Sequence, residues 1–308
     1  MSGAADALFP GFRPFAVETA TPWGRATIRG RTGGSGPPLL LLHGYPQTGA
    51  MWHRVAPALA RRHSVVVADL RGYGASAKPP TDDDHAPYAK RAMAADMVQV
   101  MAALGHDRFH VGAHDRGARV AHRMALDHPE AVRSLALLDV APTREMYRGT
   151  TEGFARAYWH WFFLTLPSPH PERMIGADPE GFWRLKCGSG WANGSPGLDL
   201  FAPEALAEYL AAWTPEAIHA SCEDYRAAAT IDIAHDDADG GARIEAPLLA
   251  LWGERGAIER SFDCLALWRT RAARVTGRAL PGGHYLAEEL PDAVAAAFLA
   301  HFEENRDG

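Results

Sequence analysis

The sequence predicts an α/β fold, a mostly parallel central sheet flanked by helices, with a helical cap inserted between two of its strands. Three observations carry the prediction. Short apolar runs of strand length alternate with helix-length stretches through most of the chain. At Val111-Gly112-Ala113-His114-Asp115-Arg116-Gly117-Ala118-Arg119, an apolar approach meets a tight turn with small residues at Ala113 and Gly117. An amphipathic helix follows to about Asp127 and ends before Pro129. From about residue 145 to 235, buried-strand patterns give way to Trp, Tyr, Ala and helical periodicity. The expected division is 1–144 as the first part of the core, 145–240 as the cap and 241–308 as the second part of the core.

Taken in order, residues 12 to 31 alternate loosely and read as an antiparallel opening hairpin. Pro37 to Leu42 is a continuous apolar run, as expected of a strand buried on both faces. Ser64 to Ala68 is a second such strand, and Arg91 to Leu104 carries helical periodicity. The strand and helix around Asp115 come next, followed by a strand at Val132 to Leu138 that ends in Asp139. After the helical block, strands resume at Pro247 to Gly253 and at Val275 to Leu280. A helix from Pro291 to His301 closes the pattern. Such a block between strands belongs over the strand ends, where open α/β sheets carry their sites.

Composition narrows the function. The 308 residues are 47% hydrophobic and 22% charged, ordinary for a globular protein and enough for one large core. A net charge of −6 is too mild and of the wrong sign for a nucleic-acid surface. Cys187, Cys222 and Cys264 are few and widely spaced, as reduced thiols would be. No signal-peptide pattern opens the sequence and no apolar run is long enough to span a bilayer. A cytoplasmic globular protein without membrane or nucleic-acid partners is therefore expected.

The turn at Asp115 resembles the nucleophile elbow of the α/β-hydrolase fold, which lifts one side chain above the sheet. The residue raised there is commonly serine, and here it is aspartate. Serine attacking saturated carbon would leave an ether, a dead end. An aspartate becomes an alkyl ester instead and keeps a carbonyl that water can attack. Asp115 could simply cap its helix, but partners for catalysis follow in the expected chain order. His284, after the last strand in Pro281-Gly282-Gly283-His284-Tyr285, is the base. The loop after Trp252-Gly253 lacks the aspartate that often orients such a histidine. Asp139 is chosen for that role, with Glu254 in reserve. Backbone N–H groups of Tyr45 and Arg116 would form the oxyanion hole.

Arg116 and Arg119 lie near one another at the start of the elbow helix. Arginine forks grip carboxylates, so two of them beside an anionic nucleophile suggest a substrate that is itself a carboxylate. The other reading is that one of them, with Arg119 weighed for it, bridges to an Asp or Glu of the cap. The cap supplies Tyr158-Trp159-His160-Trp161 and Cys222-Glu223-Asp224-Tyr225-Arg226, whose N–H and O–H groups could hold a departing halide.

Together, His114-Asp115-Arg116-Gly117 with Arg119, Asp139, His160-Trp161, Tyr225 and His284 resemble the fluoroacetate/haloacetate dehalogenases of the α/β-hydrolase superfamily. The likeness spans nearly the whole chain. It implies that Asp115 displaces halide from the α-carbon and that Arg116 and Arg119 hold the acetate carboxylate. It further implies that His160, Trp161 and Tyr225 bind halide, and that His284 with Asp139 activates water against the ester. Trp191 would narrow the acid pocket or its entrance. The resemblance implies no cofactor, no metal and a homodimer.

Epoxide hydrolases share the elbow aspartate and are the main alternative. They protonate the epoxide with two cap tyrosines, for which Tyr147, Tyr158, Tyr209 and Tyr225 are available. The arginine pair and His160-Trp161 argue against a neutral epoxide or haloalkane. A non-catalytic ligand-binding relative predicts a broken triad. Gly72-Tyr73-Gly74-Ala75-Ser76-Ala77 lacks the third glycine of a dinucleotide fingerprint. Asp82-Asp83-Asp84-His85 reads as a solvated loop and not a metal site. His110 and His114 lie on a strand and turn, not on one helix face as a zinc pair would.

Overall fold

Residues 7–306 are described by the structure, a computed structural model, apart from the side chains of Trp191 and Ala192. The opening alternation becomes a hairpin of β1 (Arg13–Thr21) and β2 (Gly24–Gly34), with Val17 opposite Ile28. The apolar runs become β3 (Pro38–Leu42) and β4 (Ser64–Ala68). They are followed by β5 (Phe109–His114), β6 (Val132–Leu138), β7 (Leu248–Gly253) and β8 (Val275–Leu280). The described sheet is eight-stranded in the order β1-β2-β4-β3-β5-β6-β7-β8. β2 meets β4 antiparallel, and from β4 through β8 the strands run parallel.

Parallel strands covered by helices on both faces have no solvent side. That is why Leu39 to Leu42 are apolar at every position and fully buried. The helices that matter for the site are α1 (Lys90–Ala103) and the elbow helix α2 (Asp115–Asp127). Between β6 and β7 come α3 (Thr143–Arg148), α4 (Glu152–Ala157), α5 (Trp159–Phe163), α6 (Pro179–Gly188), α7 (Pro203–Ala212) and α8 (Pro215–Ala229). After β8 come α9 (Leu286–Glu289) and α10 (Pro291–Glu304). No strand interrupts the stretch from Thr143 to Ala238. None of the described helices is long and apolar enough to cross a membrane.

The elbow shows why its neighbours must be small. Asp115 has φ 44°, a left-handed conformation that costs a non-glycine residue roughly 1–3 kcal/mol and persists where the surroundings enforce it. α2 then lies directly against β3. The Gly117 N–H donates to His43 O at 2.9 Å, and a Cβ on Gly117 would sit 2.5 Å from that oxygen. Gly44 likewise leaves room for Asp115, since a Cβ there would be 2.6 Å from Asp115 Cβ.

Candidate active site

Strand register brings the triad together. His114 at the end of β5 pairs with Leu138 at the end of β6, and Leu138 pairs with Leu251 of β7. The next residues, Asp115 and Asp139, therefore emerge side by side at the carboxyl edge of the sheet. Asp139 also has positive φ, 48°, and accepts the Gly253 N–H at Oδ1, 3.0 Å. Its Oδ2 lies 2.6 Å from His284 Nδ1. A carboxylate only accepts, so the proton sits on Nδ1 and the lone pair of Nε2 is left for a proton in the site. Glu254, weighed as the other orienting acid, is exposed.

Two further contacts fix the histidine loop. The His284 N–H donates to Asn193 O at 2.9 Å, and His114 Nε2 donates to His284 O at 2.9 Å. Burial first, and His284 nearby second, push His114 down to about pKa 3, so it stays neutral and acts as a brace. Asp115 is only 4% exposed, and the Tyr45 N–H donates to its Oδ2 at 3.1 Å. Burial would raise its pKa, but His284, Arg119, His114 and Arg116 outweigh that and hold it below the ordinary carboxylate value. Asp115 is therefore a carboxylate at neutral pH.

The two arginines differ from expectation in one respect. Arg116 is fully buried and gives Nε and Nη2 to the Asp224 carboxylate, both at 2.8 Å, with Nη2 also reaching Asp224 O at 2.9 Å. One of the two arginines does bridge to a carboxylate of the cap, and it is Arg116, not Arg119. Asp224 also accepts from Tyr73 Oη at 2.6 Å and from Lys90 Nζ, and Lys90 in turn lies 3.4 Å from Asp232. Arg119 has no carboxylate partner among the described residues. Its Nη1 donates to Ala141 O at 3.2 Å and Thr143 Oγ1 at 2.9 Å. What remains without a protein acceptor is Nη1 of Arg116 and Nε of Arg119.

Beside them lies a group of buried donors. Trp161 Nε1, Tyr225 Oη and His160 Nδ1 have no hydrogen-bond partner among the described residues. Arg116 stacks on the Tyr225 ring at 4.1 Å and Arg119 on the Trp161 ring at 4.6 Å. Tyr45 stacks on His160 at 5.9 Å and meets Tyr225 edge-on at 5.2 Å, so its side chain frames the donors. Burial, then Lys186, holds His160 well below its ordinary pKa. A neutral His, a Trp and a Tyr in a dry setting offer N–H and O–H groups whose desolvation only an anion or strong acceptor would offset.

Asp115, Tyr158, His160, Lys186, Asn193 and His284 line an enclosed cavity of about 10 Å³, near the lower limit for a single water. Wider grooves of about 550 and 490 Å³ elsewhere on the surface carry no member of the triad. Sequence reasoning missed Lys186, Asn193 and the Arg116–Asp224 pair. Lys186 left a trace, because it shares the buried side of α6 with Trp183 and Cys187. Of the four cap tyrosines, Tyr158 lines the cavity, whereas Tyr209 is engaged by Glu288 and Gln47. The side chain of Trp191 lies outside the described residues.

Metal-ligand types do meet elsewhere on the cap. Ligand atoms of Glu172, His219 and Glu223 lie within 4.8 Å of one another, but Arg226 donates to both carboxylates. His85 of the acidic loop turns onto Glu223 at 2.6 Å. The three cysteines are free and buried.

A family model described as alpha/beta hydrolase fold matches residues 37–189. The chain is 47% identical to a fluoroacetate dehalogenase of Burkholderia sp, over 98% of this chain and 97% of that one. It is 33% identical to a soluble epoxide hydrolase of Corynebacterium sp. (strain C12), over 88% of this chain and 92% of that one. Among solved structures, a Nostoc sp PCC 7120 protein described as an α/β hydrolase is 52% identical, with TM-score 0.88 over 93% of this chain and 96% of that one.

Proposed function

This chain belongs to the fluoroacetate/haloacetate dehalogenase family of α/β hydrolases, and from that premise we propose that it hydrolyses haloacetates to glycolate and halide through an ester on Asp115. The observation that carries the proposal is the ring of buried donors without acceptors, Trp161 Nε1, Tyr225 Oη and His160 Nδ1, beside an aspartate nucleophile. A leaving halide is the acceptor such a ring fits.

In the first step an oxygen of Asp115 attacks the α-carbon of the substrate. The C–O bond forms as the C–halogen bond breaks, and the halide departs with the electron pair toward His160, Trp161 and Tyr225. Arg119 and the remaining N–H of Arg116 hold the substrate carboxylate in line. In the second step His284 Nε2 takes a proton from water, and the hydroxide adds to the ester carbon of Asp115. Asp139 stabilises the resulting imidazolium through Nδ1. The Tyr45 N–H, already on Asp115 Oδ2, and the Arg116 N–H stabilise the oxyanion. Collapse breaks the ester C–O bond and releases glycolate, whose oxygen takes the proton back from His284; Asp115, now carrying one oxygen from water, returns to the carboxylate by losing that oxygen's remaining proton to solvent.

Epoxide hydrolysis is the second reading, because Tyr158 lines the cavity with Asp115 and stands 6.4 Å from His284, ring to ring. The test is halide release from fluoroacetate, chloroacetate and bromoacetate by purified protein, with styrene oxide run in parallel. Fluoride release is expected. Chloride or bromide without fluoride would retain the mechanism with a looser halide pocket. Epoxide turnover with no halide from any acid would move the protein to the second reading.

A further inference from the structure

An anionic substrate entering a closed site needs a countercharge, and the arginines supply less of it than their number suggests. Arg116 and Lys90 face Asp224 and Asp232, two cations against two carboxylates. Arg119 stands near Asp115, one cation against the nucleophile itself. A haloacetate adds a further negative charge to a pocket where unpaired charge is costly. Neither arginine is among the residues lining the enclosed cavity.

Lys186 does line it, with Asp115, His160, Asn193 and His284. It is 6% exposed and makes no hydrogen bond or ion pair among the described residues. Its Nζ lies 5.8 Å from the centre of the Tyr45 ring. A buried ammonium with no hydrogen-bonding or ion-pair partner among the described residues is costly to keep, and this one, on α6, lines the cavity at Asp115. Burial lowers its pKa, while Cys187 and Asp115 pull it back up. An arriving anion would do the same.

We infer that Lys186 is the specificity-determining cation of this site, compensating the charge of an incoming small monocarboxylate and so selecting anionic over neutral haloalkyl substrates. The inference rests on the haloacid reading for the identity of the substrate, but not for the binding of a small carboxylate. Lys186 is a charge-compensating residue and takes no part in bond making.

The test compares wild type, Lys186→Met and Lys186→Arg in two measurements. One is calorimetric titration with sodium acetate, which needs no turnover. The other is kcat and KM for chloroacetate. Removing one compensating charge should weaken acetate binding and raise KM by about 30-fold, taking an effective dielectric of about 20 and a charge separation of about 8 Å. The smaller effect should fall on kcat. Lys186→Arg should retain most of the binding. Lys186→Met should melt no lower than wild type, because it removes an unpaired buried charge, an outcome that a merely structural lysine would not give. If Lys186→Met fails to fold, Lys186→Gln takes its place. Acetate affinity and KM within about 3-fold of wild type, under half a unit of log K, would overturn the inference. So would a wild type that does not bind acetate. Acetate binding that depends on Lys186, without halide release from any haloacetate, would sustain the inference and sink the dehalogenase reading.

Discussion

Replacing Asp224 by Asn separates the cap from the core at one atom group. The Asp224 carboxylate is fully buried on α8 and joins three elements through Arg116 of α2, Lys90 of α1 and Tyr73. An Asn keeps the shape but removes the charge that two buried cations share. It also turns one acceptor into a donor, which faces Tyr73 or an arginine N–H. Breaking a buried pair from one side costs about 3–5 kcal/mol. Here Lys90 keeps Asp232 at 3.4 Å, which argues for the lower half of that range. At about 2–4 °C per kcal/mol for a chain of this size, the melting midpoint should fall by roughly 6–15 °C. Guanidinium unfolding should show the loss as a shifted midpoint with the slope unchanged. The double variant Arg116→Met with Asp224→Asn should lose less than the sum of the single ones, since it removes both members of the pair. A loss below about 1 kcal/mol for Asp224→Asn, the level of a surface pair, would refute the view that this carboxylate clamps the cap to the elbow helix.

Three other outcomes are expected. Tyr225→Phe removes one halide donor and should lower kcat for fluoroacetate by about 100-fold, with a smaller effect on bromoacetate, whose leaving group needs less help. Equal losses on both would count against a halide role. Glu288, buried on α9 beside Tyr209, is pushed up to about pKa 8 by burial, against the opposing pull of Tyr209 and Arg54. The native state therefore holds this proton longer than the unfolded chain. Its contribution is complete below the ordinary Glu value of 4.5 and is lost as pH rises through about 8. Glu288→Gln should match wild type in acid and exceed it in stability above that value, as measured by denaturant midpoints across pH; parallel curves would discount the shift. Gly117→Ala drives a Cβ to 2.5 Å from His43 O, a backbone atom with no room to yield, and should cost about 1–3 kcal/mol by thermal unfolding.

The fold was legible where local pattern and sheet position coincide. The strands at Pro38–Leu42, Ser64–Ala68 and Val132–Leu138 lie where apolar runs place them, because buried parallel strands are apolar at nearly every position, whereas Val275–Leu280 is an edge strand whose exposed and half-buried residues alternate. The helix expected from Arg91 to Leu104 runs from Lys90 to Ala103. The meeting of Asp139 and His284 could be anticipated because strand ends in this fold converge on one edge. Charge pairing was not legible. Arg116 and Asp224 are 108 residues apart, and neither the helix period nor the spacing of Arg116 and Arg119 indicates which of them the cap neutralises. Lys186 was passed over because a lysine in an exposed-looking helix normally reaches solvent. Only the packing of α6 over the elbow makes it a buried cation.

The central claim is a covalent ester on Asp115, and it is tested most directly by intact and peptide mass spectrometry of the His284→Asn variant treated with bromoacetate. Without its base the variant should complete the first step and stall. It should release one equivalent of bromide per chain and gain one carboxymethyl group on the peptide carrying Asp115, and Asp115→Asn should abolish both. An unmodified His284→Asn chain that still turns bromoacetate over, or one modified at a residue other than Asp115, would contradict the account.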